Sequence, residues 1–399
     1  MKNNRTFLEK LLDGAEVEWK PLKDILIRTK GTKITAAEMK VLHKDNAPLK
    51  IFAGGKTFAL VNFEDIPEKD INKNPSIIVK SRGIIEFEYY DKPFSHKNEM
   101  WSYYSNDKNI NIKYIYYVLK NQEPYFQNLG SKMQMPQIAT PDTDKYLVPI
   151  PPLSVQTEIV KILDALTALT SELTSELILR QKQYEYYREK LLSEEELGKV
   201  GFEWKTLGDV AKIQRGASPR PISQYITDDP NGIPWIKIGD TSLDSKYIEN
   251  TAQKITIEGA EKSRILKSGD FVMSNSMSYG RPYILKISGA IHDGWASISN
   301  FGNILNSDFL YYYLSSNTVQ SYWNGKINSS SVSNLNSDII KSLSIPIPTL
   351  NIQIEIAKTL DKFETLTNSI TKGLPLAIEQ SQKRYEYYRE LLLNFPGRE

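Results

Sequence analysis

Not one cysteine occurs in the 399 residues, and the three histidines, His43, His96 and His292, stand far apart. The first absence removes disulfides and thiolate metal sites. The second leaves no imidazole pair at metal-ligand spacing, so no metal site is expected. No apolar run approaches the length of a membrane span, and the opening MKNNRTFLEKLLDG lacks the apolar core of a signal peptide. A cytoplasmic protein with no membrane contact is expected. An excess of one charge sign is missing too: 50 basic residues face 48 acidic ones, a net of +2. Attraction for a polyanion must therefore be local.

Catalytic signatures are equally scarce. Ala53-Gly54-Gly55-Lys56-Thr57 ends like a P-loop, but Lys50 stands where that motif needs glycine. No G-x-G-x-x-G follows a strand, and the Asn/Asp-Pro-Pro-aromatic motif of amino-methyltransferases is absent. Glu38-x-Lys40 has nuclease-like spacing without the upstream acidic residue such a site needs. The chain is expected to perform no chemistry itself, which sets aside a stand-alone nuclease or methyltransferase.

What the chain does contain is repetition. VPIPPLSVQTEIVKILDALTALT from Val148 returns as IPIPTLNIQIEIAKTLDKFETLT from Ile345, at an offset of 197. QKQYEYYRE from Gln181 returns from Gln382 at an offset of 201. Glu18-Trp19-Lys20-x-Leu22 is matched by Glu203-Trp204-Lys205-x-Leu207, and Glu9-Lys10-Leu11-Leu12 by Glu189-Lys190-Leu191-Leu192. The N-terminus thus reads as the tail of a helix whose body is C-terminal, and the whole as a closed pseudo-twofold frame carrying two heads.

Each long repeat is a helix candidate. Ile159, Leu163, Leu166, Thr170, Leu173, Leu177, Arg180, Tyr184, Tyr187 and Leu191 alternate steps of four and three, the seam of a coiled coil. At 1.5 Å per residue such a rod is about 55–60 Å long. The Pro149-x-Pro151-Pro152 lead-in stops a strand and lets the helix begin near Ser154. In the second copy the offset change is a four-residue stutter near Lys372-Gly373-Leu374-Pro375, where Pro375 is expected to kink or break the helix. Within the first rod, Thr170-Ser171-Glu172-Leu173 is followed by Thr174-Ser175-Glu176-Leu177. This tandem unit is either a solvated helix face with leucine on the seam or an adjustable spacer, each unit adding about 6 Å.

Between the repeats lie two mixed, strand-rich segments. Short β-like runs include Phe58–Val61, Ser76–Val79, Trp235–Ile238 and Asp270–Met273, and each head has an aromatic helix candidate, Tyr114–Leu119 and Phe309–Leu314. Basic and amide side chains next to Gly, Ser, Asn or Pro are candidate nucleic-acid contacts. Lysine and arginine neutralise phosphates, while Arg, Asn and Gln pair with base edges. In head one these are Lys30, Lys33, Lys56, Arg82, Lys97, Lys132 and Gln134; in head two, Arg215, Arg220, Lys237, Arg264, Arg281, Lys326 and Asn328. Taken singly each could be an ordinary solvated charge; the case rests on the ensemble.

The doubled Ile150-Pro151-Pro152-Leu153…Gln156…Ile159 and Ile347-Pro348-Thr349-Leu350…Gln353…Ile356, both Gln-Lys-x-Tyr-Glu-Tyr-Tyr-Arg segments, and Gly216-x-x-Pro219 through Ile233-Pro234-Trp235-Ile236 carry a resemblance. Lys262-Ser263 and Ser268-Gly269-Asp270 continue it. The chain resembles the specificity (S) subunit of Type I restriction–modification enzymes, in the subgroup with tandem four-residue repeats. Head one departs from the pattern, with Lys30-Gly31-Thr32-Lys33 in place of Gly-x-x-Pro.

The resemblance implies an α+β protein in which two globular mixed α/β target-recognition domains are joined by two long helices packed as an antiparallel coiled coil, pseudo-twofold and circular. The expected division is 1–15, a helical segment completing the C-terminal region; 16–148, recognition domain one; 149–197, a long helix; 198–345, recognition domain two; and 346–399, the second long helix. It further implies double-stranded DNA as target, read as a bipartite asymmetric site at a helix-set spacing. The expected partners are two adenine-N6 methyltransferase (M) subunits bringing S-adenosylmethionine, and restriction (R) subunits using ATP and Mg. Docking positions would fall on Gln156, Tyr184, Tyr187, Gln353, Tyr385 and Tyr388, and no cofactor is expected in this chain. The rival reading is a two-headed protein-binding scaffold with no DNA role.

Overall fold

The computed structural model describes residues 6–131, 135–242, 245–275, 280–328, 335–368 and 372–395. The chain divides into two compact units, Met1–Glu172 with Glu379–Glu399, and Leu173–Ile378. Each unit holds one head, the first part of the long repeat that follows it and the last part of the other repeat.

In the first unit β1 (Glu18–Pro21) pairs antiparallel with β9 (Leu147–Ile150), setting Trp19 opposite Pro149. Pro149 and Pro151 cannot donate to a sheet, so only a two-stranded edge forms here and the chain turns directly into a helix, Leu153–Leu191. The head has one sheet of β2 (Ile27–Thr29), β8 (Trp101–Tyr104), β5 (Ser76–Lys80) and β6 (Glu86–Tyr90), in that order. A second sheet joins β4 (Phe58–Val61), β3 (Leu49–Phe52) and β7 (Phe94–His96), with β3 and β7 parallel. Gly54, Gly55 and Lys56 make the β3–β4 connection, so the P-loop-like run links two strands and precedes no helix.

The second unit repeats the plan. Here β10 (Glu203–Thr206) pairs with β21 (Ser344–Ile347), and Trp204 faces Pro346. The sheet order β11 (Lys212–Arg215), β20 (Trp295–Ser299), β17 (Phe271–Ser274), β18 (Pro282–Leu285) matches that of head one, with β14 (Tyr247–Ile248) added at the edge. The parallel pair recurs as β13 (Ile233–Ile236) with β19 (Gly289–Ile291), flanked by β15 (Lys254–Ile255) and β16 (Arg264–Leu266).

The aromatic helices, Ile112–Asn121 and Ser307–Leu314, bury Tyr114, Ile115 and Leu119 in one head and Phe309, Leu310 and Tyr312 in the other. Each joins a core shared with a long helix: Ile159 and Leu163 in the first unit, Ile356 and Leu360 in the second. Each is N-capped by an asparagine, Asn111 or Asn306, whose side chain accepts backbone N–H groups of the first turn.

The long helices pack antiparallel within each unit. In the first, Thr170 Oγ1 meets Ser381 Oγ at 2.9 Å, while Ile159 and Leu163 share a core with Tyr385 and Tyr388. In the second, Tyr187 stacks on Phe363 at 5.4 Å between centroids. Two sequence expectations change, and the break expected at Pro375 is present. Leu166, Thr170, Leu173 and Leu177 are only half-buried, because two helices alone cover less surface than a helix against a head. The second repeat is two helices, Leu350–Asn368 and Leu374–Leu393, with Pro375 in the first turn of the latter, where its missing N–H costs nothing. The helix Phe7–Leu12 is a separate element closed by a Thr6–Glu9 capping box, and so begins afresh instead of continuing the C-terminal helix. Its counterpart in the first repeat is Glu194–Gly198, capped by Ser193. Leu8 nevertheless shares a core with Leu392, Leu393 and Phe395, which joins the N-terminal helix to the end of the C-terminal one.

Candidate functional site

Four of the predicted basic residues in each head collect at the same place, the turn that follows the parallel strand pair. In head one β7 ends at His96, and the Thr32 N–H donates to His96 O at 2.8 Å, which draws exposed Lys30 and Lys33 to the turn. Gly31 permits this approach: a Cβ there would lie 2.3 Å from His96 O. Lys97 follows at once, its Nζ 2.6 Å from Glu99 Oε1. Ser81 Oγ donates to Glu99 O at 2.7 Å and so places exposed Arg82 alongside. Burial works against the Glu99 charge, yet Lys97 and Arg82 outweigh it and hold the carboxyl below its ordinary range. His96 is wholly buried between Thr29 Oγ1 at 3.2 Å and Lys97 O at 3.1 Å. Burial pushes its pKa down, making it a neutral structural imidazole.

In head two the turn is His292-Asp293-Gly294, and Asp293 is its hub. Arg215 Nε donates to Asp293 O at 3.1 Å, Ser218 Oγ to Asp293 Oδ1 at 2.9 Å, and Arg220 reaches Oδ2 at 3.5 Å. His292 Nε2 lies 3.1 Å from the same carboxylate. Burial would raise the Asp293 pKa; the Ser218 bond and the His292, Arg220 and Arg215 charges prevail and lower it. Gly216 repeats the role of Gly31, since a Cβ there would lie 2.1 Å from His292 O. Lys237 follows Ile236, whose carbonyl accepts from His292 N–H, and its Nζ donates to Gln253 Oε1 at 2.7 Å. Exposed Arg264 sits across from Ile291 in the strand register.

Not every expected contact belongs to this cluster. Lys56 is exposed in the β3–β4 turn. Arg281 turns to the aromatic helix side, over Tyr283 at 5.2 Å and lining a cleft with Lys246, Tyr311 and Glu364. Lys326 lies over Tyr322 at 5.5 Å on the helix Asn317–Asn328. Lys132, Gln134 and the side chain of Asn328 lie outside the described residues. Sequence reasoning missed His292, Asp293 and Ser218. The signal was present, for His96 and His292 are 196 apart, beside the 195 and 197 of the flanking repeats.

The docking expectation needs a correction at two positions. Gln156 and Gln353 are fully buried clamps. Gln156 Oε1 accepts from Asn111 N–H at 2.9 Å, while Nε2 donates to Asn109 O and Pro151 O at 3.0 and 2.8 Å. Gln353 does the same with Asn306 N–H, Ile304 O and Pro348 O at 2.8, 3.0 and 2.8 Å. Both N–H donors of each amide are committed inside the head and neither side chain has exposed surface, so neither is available to a partner. Tyr184, Tyr187, Tyr385 and Tyr388 are half-buried in the helix packing, whereas their neighbours Tyr186 and Tyr387, 59% and 62% exposed, face outward at equivalent positions.

A second repeated contact ties head to helix. Asp164 accepts from Tyr117 OH at 2.5 Å and pairs with Lys113 at 2.7 Å. Asp361 accepts from Tyr312 OH at 2.6 Å and pairs with Lys246 at 2.5 Å, a lysine that also meets Asp308 at 3.0 Å. Of the tandem unit, Ser171, Glu172, Thr174 and Ser175 are exposed, and Glu176 pairs with Arg180 at 2.7 Å along the helix. No helix among the described residues is long and apolar enough to cross a membrane.

Comparison with known proteins gives a consistent result. The family described as Type I restriction modification DNA specificity domain matches residues 15–180 and again 199–380. A putative type I restriction enzyme specificity subunit of Haemophilus influenzae is 39% identical, over 99% of this chain and 100% of its own length. The EcoR124I/EcoR124II specificity subunit of Escherichia coli is 36% identical over 98% and 97%. Among solved structures, a Type-I restriction-modification system S subunit from M. genitalium superimposes with a TM-score of 0.57 at 16% identity, covering 97% of this chain and 98% of that one.

Proposed function

Since the chain belongs to the Type I restriction–modification DNA specificity family, we propose that its two heads read the two halves of one bipartite, asymmetric DNA site. The chain is the DNA sequence-recognition subunit of a restriction–modification complex and not itself a catalyst. The observation that carries the bipartite reading is the repeated placement of basic residues: one turn, after one parallel strand pair, in two heads of matching strand order. Lys30, Lys33, Arg82 and Lys97 serve the first head, and Arg215, Arg220, Lys237 and Arg264 the second. Most of these contacts go to phosphates and set register, and a few side chains per head read base edges.

The helices would fix the separation of the half-sites, with the tandem Thr170–Leu177 unit as the length-setting element. Two M subunits would bind, one at each copy of the repeat. Exposed Tyr186 and Tyr387 support this, because the same outward side chain at both copies suits two copies of one partner. S-adenosylmethionine would arrive with the M subunits, and ATP and Mg with the R subunits. The test is methylome sequencing of a host expressing this chain with its M subunit. A bipartite N6-methyladenine motif that vanishes on deletion of the chain is expected. Unchanged methylation, with the complex assembled, would return the protein to the scaffold reading.

A further inference from the structure

The geometry points to Arg215 as the residue through which head two reads a guanine, with the 292–294 turn as its positioning element. The inference rests on the DNA-reading function above and assigns chemistry to one side chain within it.

Three observations converge on Arg215. Its Nε is committed to Asp293 O at 3.1 Å, which fixes the plane of the guanidinium. Among the described residues its two terminal nitrogens carry no hydrogen bond, and the side chain is exposed. An arginine held by Nε presents Nη1 and Nη2 as a fork, and that fork matches the O6 and N7 acceptors of guanine in the major groove. The backbone beneath it is also pinned. Gly216 N–H donates to Trp295 O at 2.8 Å, and Gly216 abuts His292 O so closely that no side chain fits there.

Arg220 differs in each respect. Its side chain is 83% exposed, and its one described polar contact is the 3.5 Å approach to Asp293 Oδ2. A loosely held arginine suits a phosphate, whose charge attracts from many directions, better than a base edge. The Asp293 carboxylate restrains this second arginine together with Ser218 and His292, so it is a positioning residue and not a reader.

The two roles give different signatures. The complete complex with M subunits is challenged with a set of DNAs carrying every single-base change in the head-two half-site, for the wild type, Arg215→Ala, Arg215→Lys and Arg220→Ala. The wild type should lose about tenfold or more at one G·C pair. Arg215→Ala and Arg215→Lys should erase discrimination at that pair alone, leaving other positions and the head-one half-site unchanged. Arg220→Ala should weaken all sequences alike and lower the salt dependence by about one counterion. Retained discrimination at the remaining positions of the head-two half-site certifies that the head is folded in each variant. A uniform loss in Arg215→Ala, or a head-two half-site with no G·C pair, overturns the assignment. Absence of any sequence preference in the wild type would instead sink the DNA-reading function beneath it.

Discussion

Replacing Gln353 by alanine removes one buried amide and strands three backbone groups. Asn306 N–H loses its acceptor, and Ile304 O and Pro348 O lose their donor, all at a residue with no exposed surface. Each unsatisfied buried group costs about 1–3 kcal/mol. Water entering the vacated space would recover part of that, so about 3–5 kcal/mol is expected. Against a domain stability of about 5–15 kcal/mol this is a large fraction. For a domain of this size it corresponds to a fall in midpoint of roughly 10 °C. Gln156→Ala breaks the same three kinds of bond, to Asn111, Asn109 and Pro151, and should cost the first unit the same within about 1 kcal/mol. Gln→Met, which restores volume without hydrogen bonds, should recover little in either copy. Calorimetry of the four variants gives the sums, and hydrogen exchange at the Asn111 and Asn306 amides locates them. A loss below about 1 kcal/mol at Gln353, or unchanged protection of the Asn306 amide, would refute the clamp.

Glu364 sits above the ordinary carboxylate range, chiefly through burial, with Tyr312 and Lys246 opposing and Asp361 adding to the shift. A carboxyl with a raised folded pKa costs stability as pH climbs from its unfolded value of 4.5, so Glu364→Gln should gain on the wild type as pH rises above about 4.5 in urea unfolding. A pH-independent difference would refute this. Inserting a third Thr-Ser-Glu-Leu after Leu177 should lengthen the preferred spacer in the methylation motif and leave both half-sites intact; altered half-site bases would remove the ruler. Tyr186→Ala with Tyr387→Ala should abolish co-purification of the M subunit while thermal melting stays within about 2 °C of the wild type, as expected for exposed side chains. Each single variant should leave one M subunit bound, and full binding by the double variant would exclude this face.

The frame was legible because it is written twice. Proline lead-ins and seam positions recur at nearly constant offsets, and Pro375 announced the break that the structure places before Leu374. The N-terminal helix shares a core with Leu392 and Leu393, as the repeat implies, but the Glu-Lys-Leu-Leu match hides its separate start; the Thr6–Glu9 box marks that start, and it is a local signal. The basic residues of the two turns were legible from their Gly, Ser, Asn or Pro neighbours, and Gly31 and Gly216 show why glycine is among these: each lets a basic loop close on a strand end. Arg281 and Lys326 carry the same charge on elements that packing turns toward tyrosines, which no local pattern reveals. Asp293 escaped notice because an acidic residue serves this site only through the arginines it holds, and that relation exists only in three dimensions.

The two latches also say something about inheritance. Asp164 and Asp361 ask the same of each head, a tyrosine hydroxyl from the aromatic helix and a lysine, yet the lysine comes from that helix in one head and from beside an edge strand in the other. The socket is therefore indifferent to most of what it holds. A crossover falling in the Glu-Trp-Lys strand and the proline lead-in would deliver a foreign head already carrying its plug, and the recipient would acquire a new target in one step without altering its frame.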